Sequence, residues 1–194
     1  MLSTIRSEAR LSAAVLLAVS AMTLSACNIN VRKNEQGDDK KVDIDTPIGG
    51  IHVDSRPDAV DTGLAAYPGA RMVEEKDGDD QSANVNLSAF GFGLRVAAVN
   101  YRSDDPPAKI LDFYRRELKK YGDVLECHTS GHPNVSSKSH DSGSKPVTCD
   151  EDSGNNIELK VGIQQNQRIV SVEPQGKGTK FALVHVQMRG RDTI

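Results

Sequence analysis

The chain has 194 residues, with 24 Lys plus Arg against 27 Asp plus Glu and a net charge of −3. That balance is too mild for a nucleic-acid footprint and offers no polybasic patch to lipid head groups. Trp is absent and Phe and Tyr number four each, so a core has to be built chiefly from Val, Ile, Leu and Ala.

Residues 1–26 place Arg6 and Arg10 ahead of an apolar run at 11–24, which ends in Leu24-Ser25-Ala26-Cys27. The run is short for a membrane span, which takes about 20 apolar residues. Small Ser25 and Ala26 suit a signal-peptidase pocket. The four residues resemble the lipobox of bacterial lipoproteins. The resemblance implies that residues 1–26 are a signal peptide, that Cys27 carries the lipid, and that the protein resides in the bacterial cell envelope. Asn28 stands where an Asp would favour the inner membrane, which implies the outer membrane, facing the periplasm. The partner so implied is the membrane itself, through the anchor on Cys27. Beyond residue 26 the count is 22 basic against 26 acidic residues, and no second run is long enough to span a bilayer.

The other cysteines are Cys127 and Cys149. With Cys27 claimed by lipid, an even pair remains in an oxidising compartment, where pairing is the default; two unpaired thiols are the alternative.

Residues 28–41 are polar and charge-dense, which predicts a flexible tether holding a domain off the bilayer. At 42–54, Val42, Ile44, Ile51 and Val53 alternate with polar residues around Pro47 and Gly49-Gly50, the pattern of a short β-hairpin. The Thr46-Pro47-x-Gly49-Gly50-x-x-Val53 pattern also resembles one rung of the β-solenoid repeats of bacterial envelope adhesins, but a solenoid needs about three stacked rungs and the sequence holds one. Residues 55–66 read as a second linker, so the expected organisation is 1–26 signal peptide, 27–66 tether with a hairpin, and 67–194 globular domain.

Tyr67-Pro68-Gly69-Ala70 reads as a turn before a strand at 71–75. Val85, Leu87 and Ala89 alternate with Asn84, Asn86 and Ser88, and Leu94, Val96 and Ala98 alternate in the opposite phase. The phase change at 90–93 predicts a hairpin, with one bulged strand as the alternative. Residues 106–121 are the one convincing helix: Ile110, Tyr114, Leu118 and Tyr121 recur at helical spacing, Asp104 or Asp105 is the expected cap, and Gly122 the expected terminator. Strands are expected at 124–129, 157–163, 168–173 and 180–188. Strands, one helix, then strands predict an α+β domain, an antiparallel β-sheet with one packed amphipathic helix. The segment from Tyr67-Pro68-Gly69-Ala70 through Asp104-Asp105-Pro106-Pro107 to Phe113-Tyr114-Arg115 resembles a module of bacterial envelope lipoproteins. That module implies a fold and no activity.

Four constellations bear on chemistry. Cys127, His128, His132, His140 and Cys149 are zinc-ligand types, but their spacing lacks the close pairs of structural zinc sites. The acidic stretches Asp77-Gly78-Asp79-Asp80 and Asp150-Glu151-Asp152-Ser153-Gly154-Asn155-Asn156-Ile157-Glu158 are dense in oxygen ligands but do not meet the EF-hand pattern. No nucleophile elbow, Ser-x-x-Lys or His-Glu-x-x-His motif is present. Phe90, Phe92, Tyr101, Phe113, Tyr114 and Tyr121 line either a groove or simply the core. The expectation is therefore a non-enzymatic binding or assembly module with no catalytic residue, no cofactor, no metal ligand and no nucleic-acid partner, with an envelope protein as a possible partner. The alternative is a periplasmic metal-binding protein or hydrolase built on the 127–158 loop.

Overall fold

In a computed structural model of the chain, the described residues are 27–33, 40–55, 60–73, 82–130, 145–149 and 153–189. Their strands are β1 (Asn28–Lys33), β2 (Lys40–Thr46), β3 (Gly49–Asp54), β4 (Arg71–Met72), β5 (Ser82–Ala89), β6 (Phe92–Ser103), β7 (Leu125–Thr129), β8 (Asn156–Ile163), β9 (Asn166–Gln175) and β10 (Gly178–Arg189). One α-helix, α1 (Pro107–Leu118), continues into a 3-10 turn at Lys119–Tyr121. The strands form one sheet in the order β1-β2-β3-β5-β6-β10-β9-β8-β7, with β4 also on β6, and every pairing is antiparallel. The described residues are therefore mainly β, with one α-helix among them packed on one face.

The hairpins arise where the alternation predicts them. Ala89 pairs with Phe92, so the β5–β6 turn is Phe90-Gly91. Both turn residues take positive φ, 51° and 84°, the combination whose twist matches antiparallel strands. The hairpin reading of 90–93 holds over the bulged-strand alternative.

On α1, Ile110, Leu111, Tyr114 and Leu118 are buried against Leu159 and Val161 of β8, Val170 and Val172 of β9, and Phe181 and Leu183 of β10. Aromatic rings thicken this core: Tyr114 lies 5.7 Å from Phe181, and Phe181 stacks on Tyr101 at 5.4 Å. Of the aromatics in the sequence reading, Tyr101, Phe113 and Tyr114 belong to the core, whereas Phe90, Phe92 and Tyr121 are exposed. Gly122 ends the helical segment with φ 134°.

Capping departs from expectation. No side chain caps α1, and Pro106 occupies the cap position. Pro107 has no N–H, so one of the orphan donors a cap would satisfy does not exist. Asp105 is taken elsewhere, accepting from Tyr67 Oη at 2.8 Å and from Lys109 Nζ at 2.7 Å. The helix entry is instead held by Ser103 Oγ, which accepts from Asp105 N, and by Asp105 O, which accepts from Thr179 Oγ1 at 2.7 Å.

The tether expectation is corrected for Asn28–Lys33, which is an edge strand rather than free chain. Ile29 and Val31 pair opposite Ile44 and Val42, continuing their alternation by one strand. The 42–54 hairpin forms as expected, yet it does not stand apart. β3 pairs with β5 from Gly49↔Ala89 to Asp54↔Asn84, so the sheet does not break at residue 66. Nor is 60–66 a bare linker. Thr62 is buried, Leu64 packs on the core, and the carbonyls of Gly63 and Ala65 accept from Tyr121 Oη and Tyr114 Oη.

Candidate functional site

The register sorts side chains onto two faces, because directly paired residues share a face. Opposite the helix, Ile29, Ile44, Ile51, Leu87, Leu94 and Met188 form one apolar row across β1, β2, β3, β5, β6 and β10. The helix-bearing face is polar over the same strands. There Asn30, Asp43, His52, Asn86, Arg95, Gln187 and Asn166 make a continuous row from β1 to β9. Beside α1 this face is the core; away from α1 it is an open polar floor.

A cleft of about 300 Å³ lies on that floor, lined by His52, Asn86, Ser88, Arg95, Gln187 and Arg189 among others. Arg95 and Arg189 come from neighbouring strands, on the adjacent pairs Arg95↔Gln187 and Gly93↔Arg189. Neither guanidinium forms an ion pair with a described residue. His52 Nδ1 lies 3.0 Å from Asp43 Oδ1 and its Nε2 lies 3.5 Å from Asp45 Oδ1. The Asp43 carboxyl is held below its ordinary value, first by His52 and then by Lys41. Ser88 Oγ accepts from Gly50 N at 3.0 Å.

Chemically, two guanidiniums beside amide and hydroxyl groups suit a small anionic or polyhydroxylated ligand. A histidine and a serine are present, but a general base needs one nitrogen on the nucleophile. Here carboxylates face both ring nitrogens, and the serine oxygen takes a backbone N–H. In the sequence His52 reads as a lone structural residue and Arg95 carries no signal of its own. The alternation of Asn84, Asn86 and Ser88 is the one local sign of a polar face.

Comparison with protein families, with curated proteins and with solved structures found no match. The site is therefore read from its own residues.

Cys127 and Cys149 are joined in a disulfide, with S–S 1.98 Å and Cα–Cα 5.5 Å, and Cys27 is exposed with a free thiol. The disulfide removes two of the five candidate zinc ligands. Of the others, His128 is on β7 with Nε2 4.0 Å from Glu126 Oε1, while His132 and His140 lie outside the described residues. Of the candidate calcium residues, Asp77, Asp79, Asp80, Asp150, Glu151 and Asp152 also lie outside them, while Glu158 is buried on β8 and paired with Lys160. Among the described residues no group of His, Cys, Asp and Glu is placed to hold a metal, and no helix is long and apolar enough to cross a membrane.

Two polar features are buried: an ion pair that has no counterpart in the sequence reading, and His185, which reads in sequence as a satisfied or exposed structural histidine on the polar face of its strand. Lys160 Nζ and Glu158 Oε2 make an ion pair at 3.2 Å with both side chains buried, on the face opposite α1 and beside Cys127, which pairs with Glu158. Read along the chain, Glu158 belongs to an acidic turn; in the sheet it is interior. His185 is only 9 % exposed, with Nε2 3.0 Å from Asn166 Oδ1. Burial first, then Arg168 and Arg95, push its pKa down to about 4, against a smaller opposing effect of Asp61.

Proposed function

We propose that the chain is a lipid-anchored protein of the bacterial cell envelope, held at the outer membrane through Cys27, and that its domain is a non-enzymatic binding or assembly module. The observation that carries this reading is the division of the cysteines. Cys127 and Cys149 form the disulfide expected of an exported protein, while the third, Cys27, stands exposed beside the sheet as the last residue of a lipobox-like tetrapeptide. A free exposed thiol is otherwise a liability in an oxidising compartment.

The polar floor around Arg95 and Arg189 supports a binding role, with ligands of anionic or polyhydroxyl character, or an envelope protein presenting such groups, as the class it would take. The alternative centred on residues 127–158, a metal-binding protein or hydrolase, has less support because the cysteines are committed to each other.

Metabolic labelling with palmitate in the source bacterium tests the anchor. The expected result is label on the wild-type chain and none on Cys27→Ser. Label that persists in Cys27→Ser, or wild-type chain without label, sinks the reading. For the domain, turnover in a broad hydrolase screen that disappears on Ser88→Ala or His52→Ala would replace the binding reading with an enzymatic one.

A further inference from the structure

The end of the sheet at which Cys27 enters also carries several exposed large apolar side chains. Asn28 pairs with Asp45, so Cys27 lies one residue beyond that pair, level with the Pro47-Ile48 turn that joins Thr46 to Gly49. The Phe90-Gly91 turn lies beside it, with Phe90 N donating to Ile48 O at 3.0 Å. Along this rim Ile48 is 58 % exposed, Phe90 64 % and Phe92 48 %, and Ile29 is 65 % exposed just inside it. Four strand spacings of about 4.8 Å separate β1 from β6, so Cys27 and Phe92 stand roughly 19 Å apart along one edge.

The phenylalanine at 90 is an unusual choice for its backbone position. Its φ of 51° is the left-handed region, where Asn or Gly is the usual choice for this turn and a bulky side chain is disfavoured. Nor does it gain much by burial. The opposite end of the sheet is different in kind: its β9–β10 turn is Gly176-Lys177, and Asp104, Arg71 and Lys109 surround the helix entry.

We propose that this rim, formed by Ile48, Phe90 and Phe92 beside Cys27, lies in the bilayer interface and fixes the domain's orientation on the membrane. The occupant is set by where the chain comes from. The apolar run at 11–24 leads directly into Cys27, so a lipid on Cys27 brings the membrane to this end of the sheet and no other. Short apolar and aromatic tips then partition into the head-group boundary, as amphipathic anchors do. Arg189, exposed at the same end, favours anionic head groups; Asp45 opposes it. The inference rests on the anchor reading for its geometry, and its test separates the two.

The chain has no Trp, so Phe90→Trp introduces a single fluorophore at the rim and Lys177→Trp one at the far end. Each full chain is isolated from membranes and reconstituted into phosphatidylcholine–phosphatidylglycerol vesicles, with and without brominated acyl chains, and the mass of its N-terminal peptide is measured in parallel. The expected result is a blue-shifted emission from the Phe90→Trp chain, quenched by brominated lipid several-fold more than that of the Lys177→Trp chain. Equal quenching of the two chains overturns the proposal. Emission from Phe90→Trp that blue-shifts with protein concentration in the absence of vesicles also overturns it, because the rim then packs on a second copy of the chain. A chain without acyl groups on Cys27 defeats the anchor reading alone; quenching of the rim indole in that same sample still decides the rim.

Discussion

Acid should weaken this fold through His185 before its carboxylates titrate. The imidazole is buried on β10 and held to Asn166, with Arg168 and Arg95 on the neighbouring strands β9 and β6 and Asp61 from the covering segment. Its pKa in the folded chain is about 4, below the ordinary 6.5, so folding opposes protonation. Stability from this group is complete above about pH 6.5 and drains as the pH falls towards 4. Between pH 7 and 4.5 the loss integrates to about 2 kcal/mol. The assay is urea unfolding at several pH values in that window, comparing wild type with His185→Gln, which retains a donor for Asn166. Differencing the two curves cancels every contribution common to both proteins. Asp43 and Asp105, whose pKa values are lowered, lose their contributions only below the ordinary carboxylate range and so fall outside the window. The variant should show a slope shallower by about 2 kcal/mol across the window. Parallel curves for the two proteins would refute the argument and mean that the imidazole is reached by water.

Lys160→Met should cost about 3–5 kcal/mol in denaturant unfolding, because it strands a buried carboxylate, and Glu158→Gln in the same chain should restore much of it; a double variant no more stable than the single one contradicts the ion-pair account. Replacing Cys127 and Cys149 together by Ser should lower stability by about 3 kcal/mol, the loop-closure value for a separation of 22 residues, and an unchanged melting temperature would show that the bridge constrains nothing in the unfolded chain. Gly49→Ala would press its new methyl into Ser88 O and the Ala89 backbone, so a loss of about 1–3 kcal/mol is expected, against no loss if β3 and β5 are not paired.

What the sequence makes legible, and what it hides, follows the range of each interaction. The helix is legible because Ile110, Tyr114 and Leu118 repeat within a few residues of one another, and the β5–β6 hairpin because its strands change phase across one short turn. The Asp105 cap does not form because Tyr67, 38 residues away, claims that carboxylate. β1 is hidden by the charged residues after it, which outweigh the apolar Ile29 and Val31 of Asn28–Lys33. The polar floor cannot be seen in any single segment. Asp43, His52, Asn86, Arg95 and Gln187 come from five strands, and only the sheet order puts them in a row. Glu158 and Lys160 likewise sit in a polar segment of the sequence, and their burial is evident only in the folded sheet.

The account stands on the fate of Cys27, and intact mass spectrometry of the chain isolated from membranes without reductant reads it directly. The predicted mass is that of residues 27–194, two hydrogens lighter for the Cys127–Cys149 bridge and heavier by the diacylglyceryl and acyl groups on Cys27. A chain that retains residues 1–26 and carries an unmodified thiol at Cys27 would contradict it.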